Sequence, residues 1–161
     1  MKKGSVISTI LGCIVGAIGG MLVANNIRGK DTEKWKTMSD KHLVLFMLMN
    51  EWLKMKQEGK EIQKYFEKKK YKTVAIYGMS YVGERLLDEL TACGIDVQYA
   101  IDQNAETMYS DITILSPDDK LPEVDVVVVS AIYYFDDIIE KIGNKVKCPI
   151  VSLKDVLYEV Q

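Results

Sequence analysis

Between Thr73 and Asp102 the chain sets out the residue types that cradle an anionic, hydroxyl-bearing ligand, in the order such a cradle requires. An apolar run, Thr73 to Tyr77, leads into Gly78-Met79-Ser80-Tyr81-Val82-Gly83, then a helical stretch, then a second apolar run that ends on Asp102 and Gln103. Gly78 permits a tight turn out of the first strand, and Gly83 lets the helix backbone lie close to the sheet. Helix N–H groups around Ser80 to Val82 then face whatever anion sits beside them. Asp102 is placed to accept hydrogen bonds from a ribose diol. As a strand-end acid facing solvent, it is expected to contribute little to the core.

The elements that must position these residues are legible as hydrophobic periodicity. Val82, Leu86, Leu87 and Leu90 form the sheet-facing stripe of the helix. Residues 112–115 read as a brief extended piece, followed by the turn-rich Ser-Pro-Asp-Asp-Lys-Leu-Pro-Glu. Asp125 to Ser130 holds four consecutive valines, the mark of a strand buried on both faces. A helix over about 135–142, a last strand over 149–153 and a closing helix over 154–160 complete the pattern. The expected class is α/β: a short parallel sheet of about four strands with helices on both faces. Its strand–glycine turn–helix–strand opening matches the first unit of a Rossmann fold, with Gly78 and Gly83 in the first and third glycine places and Ser80 in the second. In such sheets ligands sit beyond the carboxyl ends of the strands near the point where strand order reverses. The candidate binding set is therefore Gly78, Met79, Ser80, Tyr81, Val82, Gly83, Asp102, Gln103, Ser130 and Ala131.

Upstream, the chain changes character. After Lys2 and Lys3, residues 6–24 carry no charge, and nineteen residues make about 28 Å of helix, enough to cross a hydrocarbon core. Gly12, Gly16 and Gly20 recur every fourth residue, a stripe that permits close helix–helix approach. Leu22, two before Ala24, spoils a signal-peptidase site, and the run stays apolar well beyond Cys13, unlike a lipoprotein signal. The expected layout is a tail (1–4), a single membrane-spanning helix (5–25), a juxtamembrane linker (26–38), a helical connector (39–70) and a nucleotide-binding domain (71–161). Arg28, Lys30, Lys34 and Lys36 outnumber the positive groups before the segment, which places the domain on the cytoplasmic side. Within the connector, Ser39 reads as the N-cap and Gly59 as the stop of a helix over 39–58, with a second helix over 60–69. Leu43, Phe46, Met47, Asn50, Leu53 and Lys54 follow helical spacing, and Met49 and Trp52 widen the apolar face, so the first helix should pack on the domain, on another protein or on a second copy of the chain.

Composition excludes several classes. A net charge of −2 across 161 residues leaves no basic footprint for nucleic acid. Cys13, Cys93 and Cys148 are scattered without a CxxC pair, which argues against a zinc site or disulfide scaffold, and no metal is expected. No catalytic constellation emerges. His42, the sole histidine, lies in the connector; Tyr65 and Lys69 have a dehydrogenase-like spacing but precede the first strand; and Asp118–Asp119 and Asp136–Asp137 fall where turns and helix starts use acids.

The runs Ala-Ile-Tyr-Gly-Met-Ser-Tyr-Val-Gly-Glu-Arg-Leu, Tyr-Ala-Ile-Asp-Gln-Asn and Asp-Val-Val-Val-Val-Ser resemble the NAD- or CoA-binding Rossmann domain of the redox repressor Rex. They are also similar to nucleotide-binding domains of bacterial surface-polysaccharide biosynthesis proteins. The resemblance covers roughly residues 72–153 and implies a phosphate loop of Gly78, Ser80 and Gly83 with Asp102 as the ribose contact. Ser80 in place of a glycine favours a smaller or sugar-linked nucleotide over a dinucleotide. The ligands implied are NAD(P), CoA or a nucleotide-sugar. The winged helix of the repressor has no counterpart, so DNA binding is not carried over. The expectation is a membrane-anchored, non-catalytic nucleotide-binding module that assists surface-polysaccharide synthesis. Two alternatives stay open: a subunit of a sugar-nucleotide-modifying enzyme, and a ligand-free scaffold.

Overall fold

Four valines, Val126 to Val129, form the strand that decides the architecture: all four are buried, and a strand apolar on both sides needs a layer on each. Burying each side chain contributes about 1.5–3 kcal/mol. The computed structural model describes residues 36–160. The chain divides between Leu43 and Val44, and the packing considered below is that of the second unit, residues 44–161. The expected membrane segment (5–25) and the glycine stripe within it lie outside the described residues. No helix among the described residues is long and apolar enough to cross a membrane.

A helix covers residues 36–57 (α1), followed by α2 (Gln63–Lys69), β1 (Thr73–Tyr77), α3 (Tyr81–Ala92), β2 (Asp96–Ile101), β3 (Ile114–Leu115), β4 (Val126–Val129), α4 (Phe135–Ile142), β5 (Ile150–Ser152) and α5 (Leu153–Val160). The five strands form one sheet in the order β3-β2-β1-β4-β5. Every pairing is parallel. The fifth strand, beyond the four expected, is the brief extended piece: Ile114 and Leu115 pair with Ala100 and Ile101 at the sheet edge.

The two faces are covered unequally. One carries α1, α2, α3 and α5, whose Leu48, Trp52, Phe66, Leu86, Leu90 and Leu157 pack on Val74, Ile76, Ala100, Val126 and Val128. The other carries α4 alone, with Ile138 and Ile142 over Tyr77, Tyr99, Val127 and Val129, supplemented by loop residues such as Leu121 and Val146. Helices do lie on both faces, but the β2–β3 and β3–β4 connections contain no α-helix, only a 3-10 turn at Ala105–Thr107 and the turn-rich stretch after Leu115.

Two boundaries differ from expectation. α1 is already helical at residue 36, so Ser39 lies inside it and does not cap it. α2 begins at Gln63, three residues later than residue 60. Both helices end as the backbone demands. Gly59, at φ +69°, donates to the Lys56 carbonyl while Lys60 donates to that of Met55, which closes α1 with a left-handed cap. Lys70 does the same for α2 at φ +62°, although it is not a glycine.

Candidate functional site

Strand order reverses between β1 and β4, and the carboxyl ends of these two strands carry the glycine turn and Ser130. Gly78 has φ +95°, a conformation that side chains disfavour, and a Cβ there would meet Ser130 Oγ at 2.9 Å and Ala131 Cβ at 3.0 Å. Gly83 is more tightly constrained: a Cβ would fall 1.9 Å from the Gly78 carbonyl oxygen. The first turn of α3 thus sits directly on the exit of β1. Gly83 works against the turn itself, a finer role than the expected approach of helix to sheet.

Ser130 binds the two strand ends together. Its N–H donates to the Tyr77 carbonyl (2.9 Å), and its single hydroxyl proton is directed at the Gly78 carbonyl (2.6 Å), with the Tyr77 carbonyl also in reach at 3.2 Å. Side chain and backbone alike are therefore engaged in the turn. Ala131 follows, half-buried, and opens a 3-10 turn at Ile132–Tyr134.

At the neighbouring end of β2, Asp102 reaches back across the turn. One carboxylate oxygen accepts the Met79 N–H at 2.9 Å, and the other accepts the Asn104 N–H at 2.9 Å and its side-chain amide at 3.3 Å. The expectation of a solvent-facing acid with little structural role does not hold: Asp102 is the latch that fixes the glycine turn against the end of β2. A carboxylate offers about four acceptor positions, so three of them are in use. The Met79 and Val82 side chains are buried in the core, whereas Tyr81 is 86 % exposed at the first position of α3. Ser80 takes the N-cap position in extended backbone, but its hydroxyl makes no capping bond. Among the described residues, then, no side-chain bond caps the N–H groups of the first turn of α3. Gln103 is exposed beside the latch. The ten candidate residues thus come together at one edge of the sheet, but they divide in role. Gly78, Met79, Val82, Gly83, Asp102 and Ser130 build the turn. Ser80, Tyr81, Gln103 and Ala131 remain outward or half-exposed.

One polar atom at this edge went unnoticed in the sequence. The Tyr77 hydroxyl is buried and has no hydrogen-bond partner. Burial raises its pKa above the ordinary tyrosine value, and Gln103 opposes this without reaching hydrogen-bonding geometry. The continuous apolar run of β1 marks Tyr77 as buried, but nothing in a sequence says what meets its oxygen.

Elsewhere the residue pairs weighed for chemistry serve as structure. Tyr65 is buried with Lys69 stacked 5.6 Å from its ring centre, and burial, with Glu159 next, lifts its pKa to about 12, away from what a proton-transfer tyrosine needs. Asp119 accepts the Ser116 N–H at 2.8 Å, and Asp118 pairs with Lys145 at 3.3 Å. Cys93 and Cys148 are free, and burial pushes both thiols up, away from nucleophilic thiolates. Among the described residues no cluster of three or more His, Cys, Asp or Glu could hold a metal.

The class so defined is an α/β protein with a five-stranded parallel sheet and a latched glycine turn where strand order reverses. No protein-family model, curated protein or solved structure matches this chain.

Proposed function

We propose that residues 71–161 form a Rossmann-like module that binds a nucleotide or nucleotide-sugar without catalysing its conversion. In this reading the segment over 5–25 anchors the chain in a membrane, the module lies on the cytoplasmic side, and it serves surface-polysaccharide synthesis. One observation carries the ligand assignment. Gly83, with no room for a Cβ against the Gly78 carbonyl, brings an uncapped helix N-terminus onto the strand end where strand order reverses. Such a terminus favours an anion through its free N–H groups and its dipole. NAD(P), CoA and nucleotide-sugars are the candidates. Ser80 in the second glycine place favours a sugar-linked nucleotide over a dinucleotide.

A second reading has its own support. Asp102 and Ser130 spend their hydrogen bonds on the turn, which is what a ligand-free scaffold would do with the same residues. Calorimetric titration of the full chain in neutral detergent micelles with NAD, CoA and UDP-glucose separates the two. Saturable heat with any one of them supports the nucleotide reading, and silence with all of them supports the scaffold.

A further inference from the structure

We propose that the outward face of α1 is a contact surface for a second copy of this chain. α1 is apolar on two opposite sides. Leu48, Trp52 and Met55, spaced four and then three, are buried against the domain. Phe46, Asn50 and Leu53 each precede one of these by two positions, a turn of about 200° around the helix. They form a second stripe on the far side. There Phe46 is 69 % exposed and Leu53 58 %, with Met47 beside them also at 58 %. A helix with one face on a core needs only the first stripe. The second has the four–three spacing of a helix-pairing seam, with one polar residue, Asn50, at the kind of position that sets register.

Size and shape fit a two-fold contact. The exposed side chains of Phe46, Met47 and Leu53 leave on the order of 350 Å² of apolar surface per copy, the size of the largest, often functional, patch on a typical monomer. Doubled across a two-fold axis, this supplies about 700 Å², and the walls of the grooves on either side must be buried as well to reach the roughly 1,000 Å² of a specific interface. α1 also forms a ridge between two grooves. One, of about 150 Å³, lies against α5 and is lined by Met47, Ile132, Leu157 and Tyr158. The other lies against α3, next to Leu53, Arg85 and Cys93. A two-fold axis sets ridge into groove on both copies at once. Lys56, at the flank, is already paired with Glu89 at 3.0 Å, so two copies do not meet through like charges there. Asn50, exposed at the centre of the stripe, suits a protein partner better than lipid. The sequence ahead of α1 points the same way. The stripe Gly12, Gly16 and Gly20 favours helix pairing in the expected membrane segment, which would raise the effective concentration of one α1 beside another. None of this depends on nucleotide binding.

The test uses the full chain in neutral detergent micelles. Sedimentation equilibrium is expected to give a dimer for the wild type. Phe46→Glu combined with Leu53→Glu is expected to raise the dissociation constant at least about 100-fold while the near-ultraviolet circular dichroism stays unchanged. Should that variant misfold, Asn50→Cys in a chain carrying Cys13→Ser, Cys93→Ser and Cys148→Ser gives an independent reading. Oxidation in membranes should link Asn50→Cys into dimers and leave a Glu106→Cys control, at the carboxyl edge of the sheet, unlinked. A monomeric wild type overturns the proposal. So does a dimer that survives both glutamates, which would place the contact in the glycine stripe or elsewhere. Asn50→Cys that fails to cross-link while the wild-type chain binds anionic vesicles through α1 overturns it in favour of a lipid-facing helix.

Discussion

Gly83 is the residue on which the glycine turn rests, and alanine there should behave against the usual rule. Within a helix, Gly→Ala ordinarily gains up to about 1 kcal/mol. Here the added methyl would meet the Gly78 carbonyl oxygen at 1.9 Å, and that partner is backbone, which cannot swing aside. Gly83→Ala should therefore cost about 2–4 kcal/mol in denaturant unfolding, as α3 withdraws from the end of β1. Unchanged stability would show that the turn has slack. Tyr77 should behave in the opposite sense. Its hydroxyl is buried without a partner, a state that costs about 1–3 kcal/mol. Tyr77→Phe is thus expected to leave stability unchanged or raise it by up to about 1 kcal/mol. A clear loss in the same assay would mean that the oxygen has a partner in solution.

Elements were legible where periodicity and punctuation agreed. β1, the buried valine strand, the helix that starts at Phe135 and the glycine stop of α1 all follow from residues whose backbone or burial preferences leave little choice. The failures have equally local causes. A two-residue edge strand such as β3 is defined by its neighbour β2 and has no pattern of its own. The start of α2 at Gln63 follows from Lys60 still serving α1, its N–H completing the cap on the Met55 carbonyl, a backbone bond that no apolar pattern announces. Lys70 is the clearest case, a left-handed cap held by a residue that pays about 1 kcal/mol for it. Lys70→Gly should raise the thermal midpoint by relieving that conformation, and a fall would mean that the lysine side chain holds the cap in some other way. Asp125 joins two elements at the opposite edge of the sheet. Its carboxylate accepts the N–H groups of Lys72 at 2.7 Å and Thr73 at 2.9 Å, and these bonds lower its pKa. Because the folded-state pKa is depressed, the contribution is present above the ordinary carboxylate pKa and is lost as pH falls through the folded-state value. Asp125→Ala should therefore lower the melting temperature at pH 7, with the gap to wild type closing in acid below about pH 4. A gap that stays constant with pH would assign the effect to packing instead.

At the scale of the molecule, residues singled out in the sequence lie together, but how their atoms are spent was not legible there. Ten residues named from the glycine motif and the strand ends do lie at one edge of a parallel sheet, because glycine spacing and strand ends are properties of the chain. That Asp102 binds Met79 and Asn104, and that Ser130 is tied to two carbonyls, depends on approaches across the sheet that become visible only once strand order is known. This sharpens the central claim, since a ligand must find room beside a latch already closed. The direct test is calorimetric titration of UDP-glucose into the full wild-type chain and into Asp102→Asn, which keeps one acceptor for the latch but loses the charge. Saturable binding by the wild type, weakened about ten- to a hundredfold in the variant, is the predicted result, the loss matching one charge-assisted hydrogen bond of about 1.5–3 kcal/mol. Equal affinity in both proteins, or no heat from the wild type with UDP-glucose, NAD or CoA, would contradict it.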